Sequence, residues 1–247
     1  MGKRTRIILI HRYIKSLPEL MTDSFEALII SEQQAIGLSF WHFLDYFVLQ
    51  ITNKGGVYIM DEFRKIAKYN RNINIKDLNK YNLIGKGADG SVFQLSDDRC
   101  VKVFEKEQTK ELELTALQVG QSSPVIPKLY EDGPNYIVME YVTGISLPQY
   151  LKKEKQLPEQ IVKKILDMLV ELKNIGFERH DTEVRHILFN EHMEIKVIDL
   201  KRAFGSVRTT PTKLLEGLAK KGYMEEFMQH VNNLNPSLYM EWKKVLK

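Results

Sequence analysis

The chain contains 247 residues, of which 43% are hydrophobic and 28% charged, and this balance excludes a disordered or fibrous protein. Its single cysteine, Cys100, excludes an intramolecular disulfide, and its six histidines lack the close spacing of a structural zinc site. The net charge of +4 is spread along the chain without a block of basic residues, so the composition favours a cytoplasmic protein with no nucleic-acid partner.

The first 59 residues contain no motif of catalytic chemistry. The apolar run at 7–10 is interrupted by His11 and is too short for a signal peptide, and the later run at 39–51 carries Asp45 and is too short to span a membrane. Apolar residues between 17 and 51 recur at helical spacing, which predicts one or two amphipathic helices.

Met60 is predicted to be the native start of the protein. Lys54, Gly55 and Gly56 are the residues that a purine-rich ribosome-binding sequence, AAAGGAGG, encodes when it is read in frame, and Met60 follows at a suitable distance. On this interpretation residues 1–59 are an N-terminal extension translated from upstream sequence, and 60–247 form the functional domain. The alternative is a genuine helical extension that packs on that domain.

Short β-like segments begin at Tyr81 and are separated by Gly and Asp. Strands are predicted at 81–85, 91–95, 100–104, 127–130, 136–140, 187–189 and 195–198. Helices are predicted at 108–119, from Pro158 to near Gly176, and three times between 212 and 246. Because strands dominate the first half and helices the second, we expect an α+β fold of two lobes.

Residues 85–92 read G-x-G-x-x-G-x-V between two predicted strands. Glycine is needed where a backbone turn approaches phosphate oxygens, because no Cβ then blocks the anion. The motif by itself also fits an ordinary glycine-rich hairpin. A strand after the last glycine disfavours the dinucleotide-binding variant, in which a helix follows.

Lys102 lies in the middle of an otherwise apolar predicted strand. A lysine that bridges phosphates needs a carboxylate to hold it, and Glu113 on the following helix is the better-placed candidate, with Glu111 as the alternative. The competing interpretation is an outward-facing lysine at a sheet edge, with both glutamates solvated.

Two aspartates follow in the second half of the chain. Asp181 lies in a polar loop, and Asp199 ends an apolar strand. One carboxylate could align a nucleophile while the other holds a cation, although either alone also fits a turn or helix-capping aspartate. Their occurrence together, in this order, favours a catalytic site.

Taken together, these motifs resemble the protein kinase superfamily over about residues 81–201. The resemblance implies a bilobal α+β fold, with a β-rich N-terminal lobe at about 75–140 and a shortened helical C-terminal lobe at about 143–247. It also implies that Lys102, Glu113 and Asp181 are catalytic, with Asp199 as the metal-binding aspartate eighteen positions after Asp181.

The segment 136–142, YIVMEYV, resembles a kinase hinge, with Met139 as gatekeeper and the next three residues offering backbone groups to adenine. The residues that the resemblance assigns to nucleotide binding are Ile84, Gly85, Gly87, Gly90, Val92, Lys102, Met139, Glu140, Tyr141 and Val142.

The catalytic and metal motifs depart from those of ordinary protein kinases. His186 stands at the usual asparagine metal position, Glu183 where lysine is common, and Lys201 where the metal motif usually has glycine. These motifs are similar to those of lipopolysaccharide core kinases, and the short C-terminal lobe resembles that of RIO-like enzymes and small bacterial serine/threonine kinases. The metal is therefore expected to be Mg²⁺ or Mn²⁺, held by Asp199 and His186. The alternative is that His186 hydrogen-bonds within the loop and supports Asp181, while Asp199, phosphates and water hold the metal.

The resemblance implies an ATP-dependent phosphotransferase, with a protein serine or threonine as the first choice of hydroxyl acceptor and a saccharide or other small molecule as the second. The alternative of another class is a catalytically inactive, nucleotide-binding pseudokinase. Retention of the glycine motif, Lys102, Asp181 and Asp199 favours catalysis. The sequence does not define an oligomeric state.

Overall fold

The computed structural model describes residues 62–68, 72–179 and 181–245, which all belong to one compact unit of the chain. The expected start at Met60 and the helices predicted between 17 and 51 lie outside the described residues. A short helix at 62–68 is followed by a 3-10 turn, Ile75–Leu78, and then by the first strand.

Five antiparallel strands form the N-terminal sheet, in the order β1-β2-β3-β5-β4. Their bounds are β1, Asn82–Gly87; β2, Gly90–Gln94; β3, Arg99–Phe104; β4, Leu129–Asp132; and β5, Tyr136–Glu140. Strands β1 and β2 form a hairpin whose turn is Ala88 and Asp89, so two of the three motif glycines lie in strand β1 rather than in a loop.

Both faces of this sheet are covered, which explains the nearly continuous apolar sequence of β3 and β5. On one face, Val101, Val103 and Val138 pack with Phe63 of the short helix. Residues of the other face, including Cys100, belong to the larger core of the protein. Lys102 shares the face of Cys100 by the period of two, and β3 lies between β2 and β5. The interpretation of Lys102 as an edge lysine is therefore wrong.

Helix α1, Glu107–Gly120, packs on the sheet through buried residues that include Glu113, Leu114 and Leu117. The spacing of Glu113 and Leu117 is one helical turn, so both lie on the face that meets the sheet. A carboxylate on this buried face needs a polar partner, because burial of an unpaired charge is costly.

The second half of the chain is mainly helical. It contains β6, Gly144–Ser146; α2, Leu147–Glu154; α3, Glu159–Asn174; β7, Ile187–Asn190; β8, Ile195–Val197; α4, Thr212–Lys221; α5, Met224–Leu234; and α6, Pro236–Val245. Strands β6, β7 and β8 form a separate antiparallel sheet. The order of elements confirms the predicted α+β fold, while β6 and α2 were absent from the prediction.

Helix α3 carries the apolar stripe that its sequence predicts, with Ile161, Ile165, Met168 and Leu172 all buried. The helix ends just before Gly176, which adopts the left-handed φ of +91° expected of a helix-terminating glycine. The core around α3 is continuous with the residues under the N-terminal sheet. No helix among the described residues is long and apolar enough to cross a membrane.

Gly90 is the motif glycine that the fold itself requires. Its φ is +149°, and a Cβ at this position would lie 2.0 Å from the carbonyl oxygen of Val103. We predict that Gly90→Ala lowers the free energy of unfolding by at least about 2 kcal/mol, through backbone strain and displacement of β3. Urea denaturation measures the loss.

Gly87→Ala is the matched control, because no atom lies within 4 Å of a Cβ at that position. The free energy of unfolding of this variant should stay within about 0.5 kcal/mol of the parent value. Equal losses in the two variants would contradict the structural role assigned to Gly90.

Candidate active site

The ion pair between Lys102 and Glu113 joins strand β3 to helix α1. The Lys102 Nζ and Glu113 Oε2 atoms are 2.5 Å apart, and only 12% and 3% of the two side chains are exposed. Burial raises the pKa of the Glu113 carboxyl, while the adjacent ammonium of Lys102 opposes that shift. Glu111 pairs instead with Lys110, at 3.0 Å, so Glu113 is the partner of Lys102.

Asp199 lies at the centre of a group of cationic and imidazole side chains. Its Oδ1 atom is 4.0 Å from Lys102 Nζ and 3.4 Å from Lys201 Nζ, and its Oδ2 atom is 3.5 Å from His186 Nε2. The Oδ1 atom is buried and accepts no well-aligned hydrogen bond from the described residues. Such an acceptor suits a cation better than it suits a purely structural role.

The backbone of Asp199 is strained. Its φ is +60°, a left-handed conformation that few residues other than glycine adopt. Strain of this kind persists only where the surrounding structure imposes it, and it is concentrated at functional sites. Lys155, at the end of α2, and Met193, between β7 and β8, also have a positive φ, so the conformation supports the assignment of Asp199 together with its contacts and not by itself.

His186 ends a 3-10 turn, Val184–His186, immediately before β7. Its carbonyl oxygen accepts a hydrogen bond of 3.0 Å from the Ile198 amide, which fixes it beside the segment that carries Asp199. Burial lowers the pKa of the His186 imidazole, although the Asp199 carboxylate favours protonation. The neutral ring that this shift favours can offer a lone pair to a metal ion.

Asp199 and His186 together make a set of two candidate metal ligands. Within 62–68, 72–179 and 181–245, no group of three or more His, Cys, Asp or Glu side chains could hold a metal ion. The Oδ2 atom of Asp199 and the imidazole 3.5 Å from it would fit a divalent cation if phosphate and water supplied its other ligands.

Asp89 and Lys201 form an ion pair that the sequence did not predict. Asp89 is in the turn of the β1–β2 hairpin, and Lys201 follows Asp199 by two residues, 112 positions further along the chain. The hydrogen bond from Lys201 lowers the pKa of the Asp89 carboxyl. The glycine hairpin is thereby connected directly to the segment that carries Asp199.

Asp181 has a different environment from the one that the sequence predicts. None of its side chain is exposed. Its carboxylate accepts hydrogen bonds from the Lys213 amide, at 2.5 Å, and the Thr212 hydroxyl, at 3.1 Å, and it pairs with Arg179 at 3.4 Å. Asp181 therefore caps the N-terminus of α4. A pocket nevertheless has both Asp181 and Asp199 in its lining.

The hinge segment uses most of its backbone groups within the protein. The amide of Glu140 donates to Lys128 O and that of Tyr141 to Asp98 O, while the Cys100 thiol lies within hydrogen-bonding distance of Glu140 O. The Val142 amide has no hydrogen-bond partner among the described residues. Among Glu140, Tyr141 and Val142, Val142 is thus the residue whose amide is available to a ligand, three positions after the buried Met139.

We predict that Asp181→Ala destabilises the protein as well as affecting any activity. The substitution leaves a helix N-terminal amide and the partly buried Arg179 without their acceptor, so the free energy of unfolding should fall by about 1–3 kcal/mol. Glu183→Ala is the control in the same loop, because Glu183 pairs with Arg185 at the surface and its loss should cost less than about 1 kcal/mol. Equal urea midpoints for Asp181→Ala and the parent would contradict the capping role.

Comparison with known proteins gives several kinase-named relatives, although no protein-family model matches the chain. The chain is 29% identical over 125 residues to YrzF of Bacillus subtilis strain 168, whose name describes it as a candidate serine/threonine-protein kinase; the match covers 49% of this chain and 58% of YrzF. It is 26% identical over 175 residues to mitogen-activated protein kinase kinase 2 of Arabidopsis thaliana, covering 60% and 47% of the two chains.

A third relative is the serine/threonine-protein kinase pkn3 of Myxococcus xanthus, with 30% identity over 161 residues, or 52% of this chain and 27% of pkn3. The chain therefore spans about half the length of the first two relatives and about a quarter of the third. These similarities support the assignment of this chain to the protein kinase superfamily.

Proposed function

We propose that the protein is an ATP-dependent phosphotransferase, acting in the cytoplasm as a protein serine/threonine kinase. The observation that carries the proposal is the convergence of Lys102, held by the buried Glu113, on the strained Asp199. A fixed ammonium beside a carboxylate that suits a cation can bind the phosphates of a nucleotide and the metal that accompanies them. The kinase names of the relatives agree with this chemistry.

The glycine hairpin supports nucleotide binding. The packing of the fold does not require glycine at 85, where a Cβ would make only ordinary contacts with Val92 at 3.7 Å, or at 87, where it would touch nothing. Small residues at positions that packing leaves open suit a backbone that phosphate oxygens approach closely. In the proposal, the hairpin covers the phosphates and the Val142 amide binds adenine, with Ile84 and Val92 beside the base.

Asp199 and His186 would hold Mg²⁺ or Mn²⁺ together with phosphate oxygens. A cation bound there would neutralise charge on the phosphates and orient the transferred group. Lys102 would hold the phosphates from the opposite side of Asp199, and Glu113 would keep its ammonium in place.

Asp181 is proposed to orient the acceptor hydroxyl. The acceptor oxygen forms a bond to the γ-phosphorus, the bond to the β–γ bridging oxygen breaks, and the hydroxyl proton is accepted by a base. Because none of the Asp181 side chain is exposed and Arg179, Thr212 and Lys213 surround its carboxylate, contact with an acceptor requires movement of at least one of these partners. A protein hydroxyl is the proposed acceptor, and a saccharide is the alternative within the same class.

The burial of Asp181 also favours one candidate of a different class. A carboxylate used to cap α4 would be unable to align an acceptor, and the protein would then be a nucleotide-binding pseudokinase. Incubation of the purified protein with labelled ATP and Mg²⁺ or Mn²⁺, alone and with cell extract, separates the two. Label transfer supports the kinase, and ATP binding without transfer supports the pseudokinase.

We predict that Lys102→Met and Asp199→Asn each lower phosphoryl transfer at least about 100-fold, because each removes a charge that acts on the phosphates or the metal. Lys220→Met is the matched control, since Lys220 is an exposed residue of α4, and its transfer rate should equal that of the parent. Undiminished transfer by either site variant, measured with labelled ATP, would overturn the site assignment.

The metal preference should depend on His186. Imidazole nitrogen binds Mn²⁺ in preference to Mg²⁺, which favours oxygen ligands and loses water reluctantly. We expect higher activity with Mn²⁺ in the parent and a shift toward Mg²⁺ in His186→Asn, with measurable transfer retained. Titration of both metals against both proteins tests this expectation, and an unchanged preference in the variant would remove His186 from the metal ligands.

A further inference from the structure

Lys201 is one of the cations of the site. Its carboxylate partner, Asp89, lies on the glycine hairpin. Its ammonium contacts the Asp89 carboxylate and lies 3.4 Å from Asp199 Oδ1. Lys102 has a corresponding arrangement, with Glu113 as its partner and 4.0 Å between its ammonium and the same oxygen. Two lysine–carboxylate pairs therefore converge on one atom of Asp199.

The two pairs differ in how firmly their carboxylates are held. Glu113 is on the buried face of the fourteen-residue helix α1, and 3% of its side chain is exposed. Asp89 is in a two-residue turn, and 28% of its side chain is exposed. Solvent can therefore replace the contacts of Asp89 at lower cost than those of Glu113.

The backbone of the hairpin turn does not depend on the Asp89 side chain. The Asp89 carbonyl oxygen accepts a hydrogen bond of 3.2 Å from the Glu105 amide, and Gly90 packs directly against Val103. These contacts hold the turn at the end of β3. The Asp89 carboxylate could thus leave Lys201 while the hairpin keeps its position.

We propose that Lys201 is a second phosphate-binding lysine and that Asp89 is a carboxylate which ATP displaces from it. The proposal rests on the proposed function, because it requires a nucleotide whose phosphates lie beside Asp199. An ammonium prefers a phosphate dianion to a single carboxylate at equal distance, since the opposing charge is greater. Asp89 then competes with the nucleotide for Lys201, and Glu113 does not compete for Lys102.

The two partners are therefore expected to affect ATP affinity in opposite directions. Lys201→Met removes a charged hydrogen bond to phosphate and should weaken ATP binding about tenfold. Asp89→Asn removes the competing charge and should tighten ATP binding about threefold. Adenosine, which has no phosphates, should bind to both variants within about twofold of the parent value.

Isothermal titration calorimetry of the full chain with ATP in the presence of Mg²⁺, and separately with adenosine, tests these expectations. Lys220→Met controls for the loss of one positive charge from an exposed position, and Lys201→Arg should retain ATP affinity because it retains the cation. Adenosine binding also verifies that each variant is folded.

Several results would overturn the proposal. The ATP affinity of Lys201→Met could equal that of the parent and of Lys220→Met, which would show that the Lys201 ammonium does not contact phosphate. Asp89→Asn could weaken ATP binding as much as Lys201→Met, or Lys201→Met could lose adenosine as well, and either result would make the pair a structural bridge. A parent protein that does not bind ATP would refute the proposed function itself, whereas ATP binding that Lys102→Met abolishes and Lys201→Met leaves intact refutes this inference alone.

Discussion

The ion pair of Lys102 and Glu113 is the interaction on which the rest of the site depends. A lysine on the inner face of a central strand, with only 12% of its side chain exposed, has little contact with water, so its charge needs a carboxylate beside it. Removal of either partner from a buried pair costs about 3–5 kcal/mol, because the other charge is left without compensation. The pair therefore restricts the orientation of α1 on the sheet, and with it the direction in which the Lys102 ammonium points.

A second polar contact joins the N-terminal sheet to the second half of the chain. Lys196 of β8 lies 2.9 Å from Glu140 of the hinge, and both side chains are mostly buried. The apolar core passes continuously from the inner face of β3 and β5 to α3 and the helices after it. With these contacts on one side and the Asp89–Lys201 pair on the other, the segment that carries Asp199 is connected to both ends of the N-terminal sheet.

The sequence predicted those parts of the site that depend on local spacing. The places of Lys102 in an apolar strand and of Glu113 on the buried face of the next helix follow from periodicities of two and 3.6 residues. Asp199 was placed by the apolar run before it, and the roles of all three residues came from the resemblance to kinases. The fold class followed in the same way. Thr212 and Lys213, whose contacts make Asp181 a cap of α4, are 31 and 32 residues from it along the chain, and Lys201 is 112 residues from Asp89, so no local pattern could identify these contacts. Strand β6 was missed because three residues are too few for a periodic signal, and it is defined only by its pairing with β7.

His186 and Lys201 depart from ordinary kinase motifs, and the charges around Asp199 explain how both can occur in one site. Lys102 and Lys201 each have a carboxylate of their own, Glu113 and Asp89, so the carboxylate of Asp199 is the negative charge that remains when His186 is neutral. That surplus attracts a cation, and the adjacent imidazole does not repel it. In the proposed complex, a nucleotide would add several negative charges to the same space, which a single metal ion would not fully balance. A lysine in the position where kinases usually have glycine supplies additional positive charge, and its partner, Asp89, is the most exposed of the three carboxylates in this cluster. The replacement of glycine by lysine is thus consistent with phosphate binding, and it does not by itself indicate a site that has lost its chemistry.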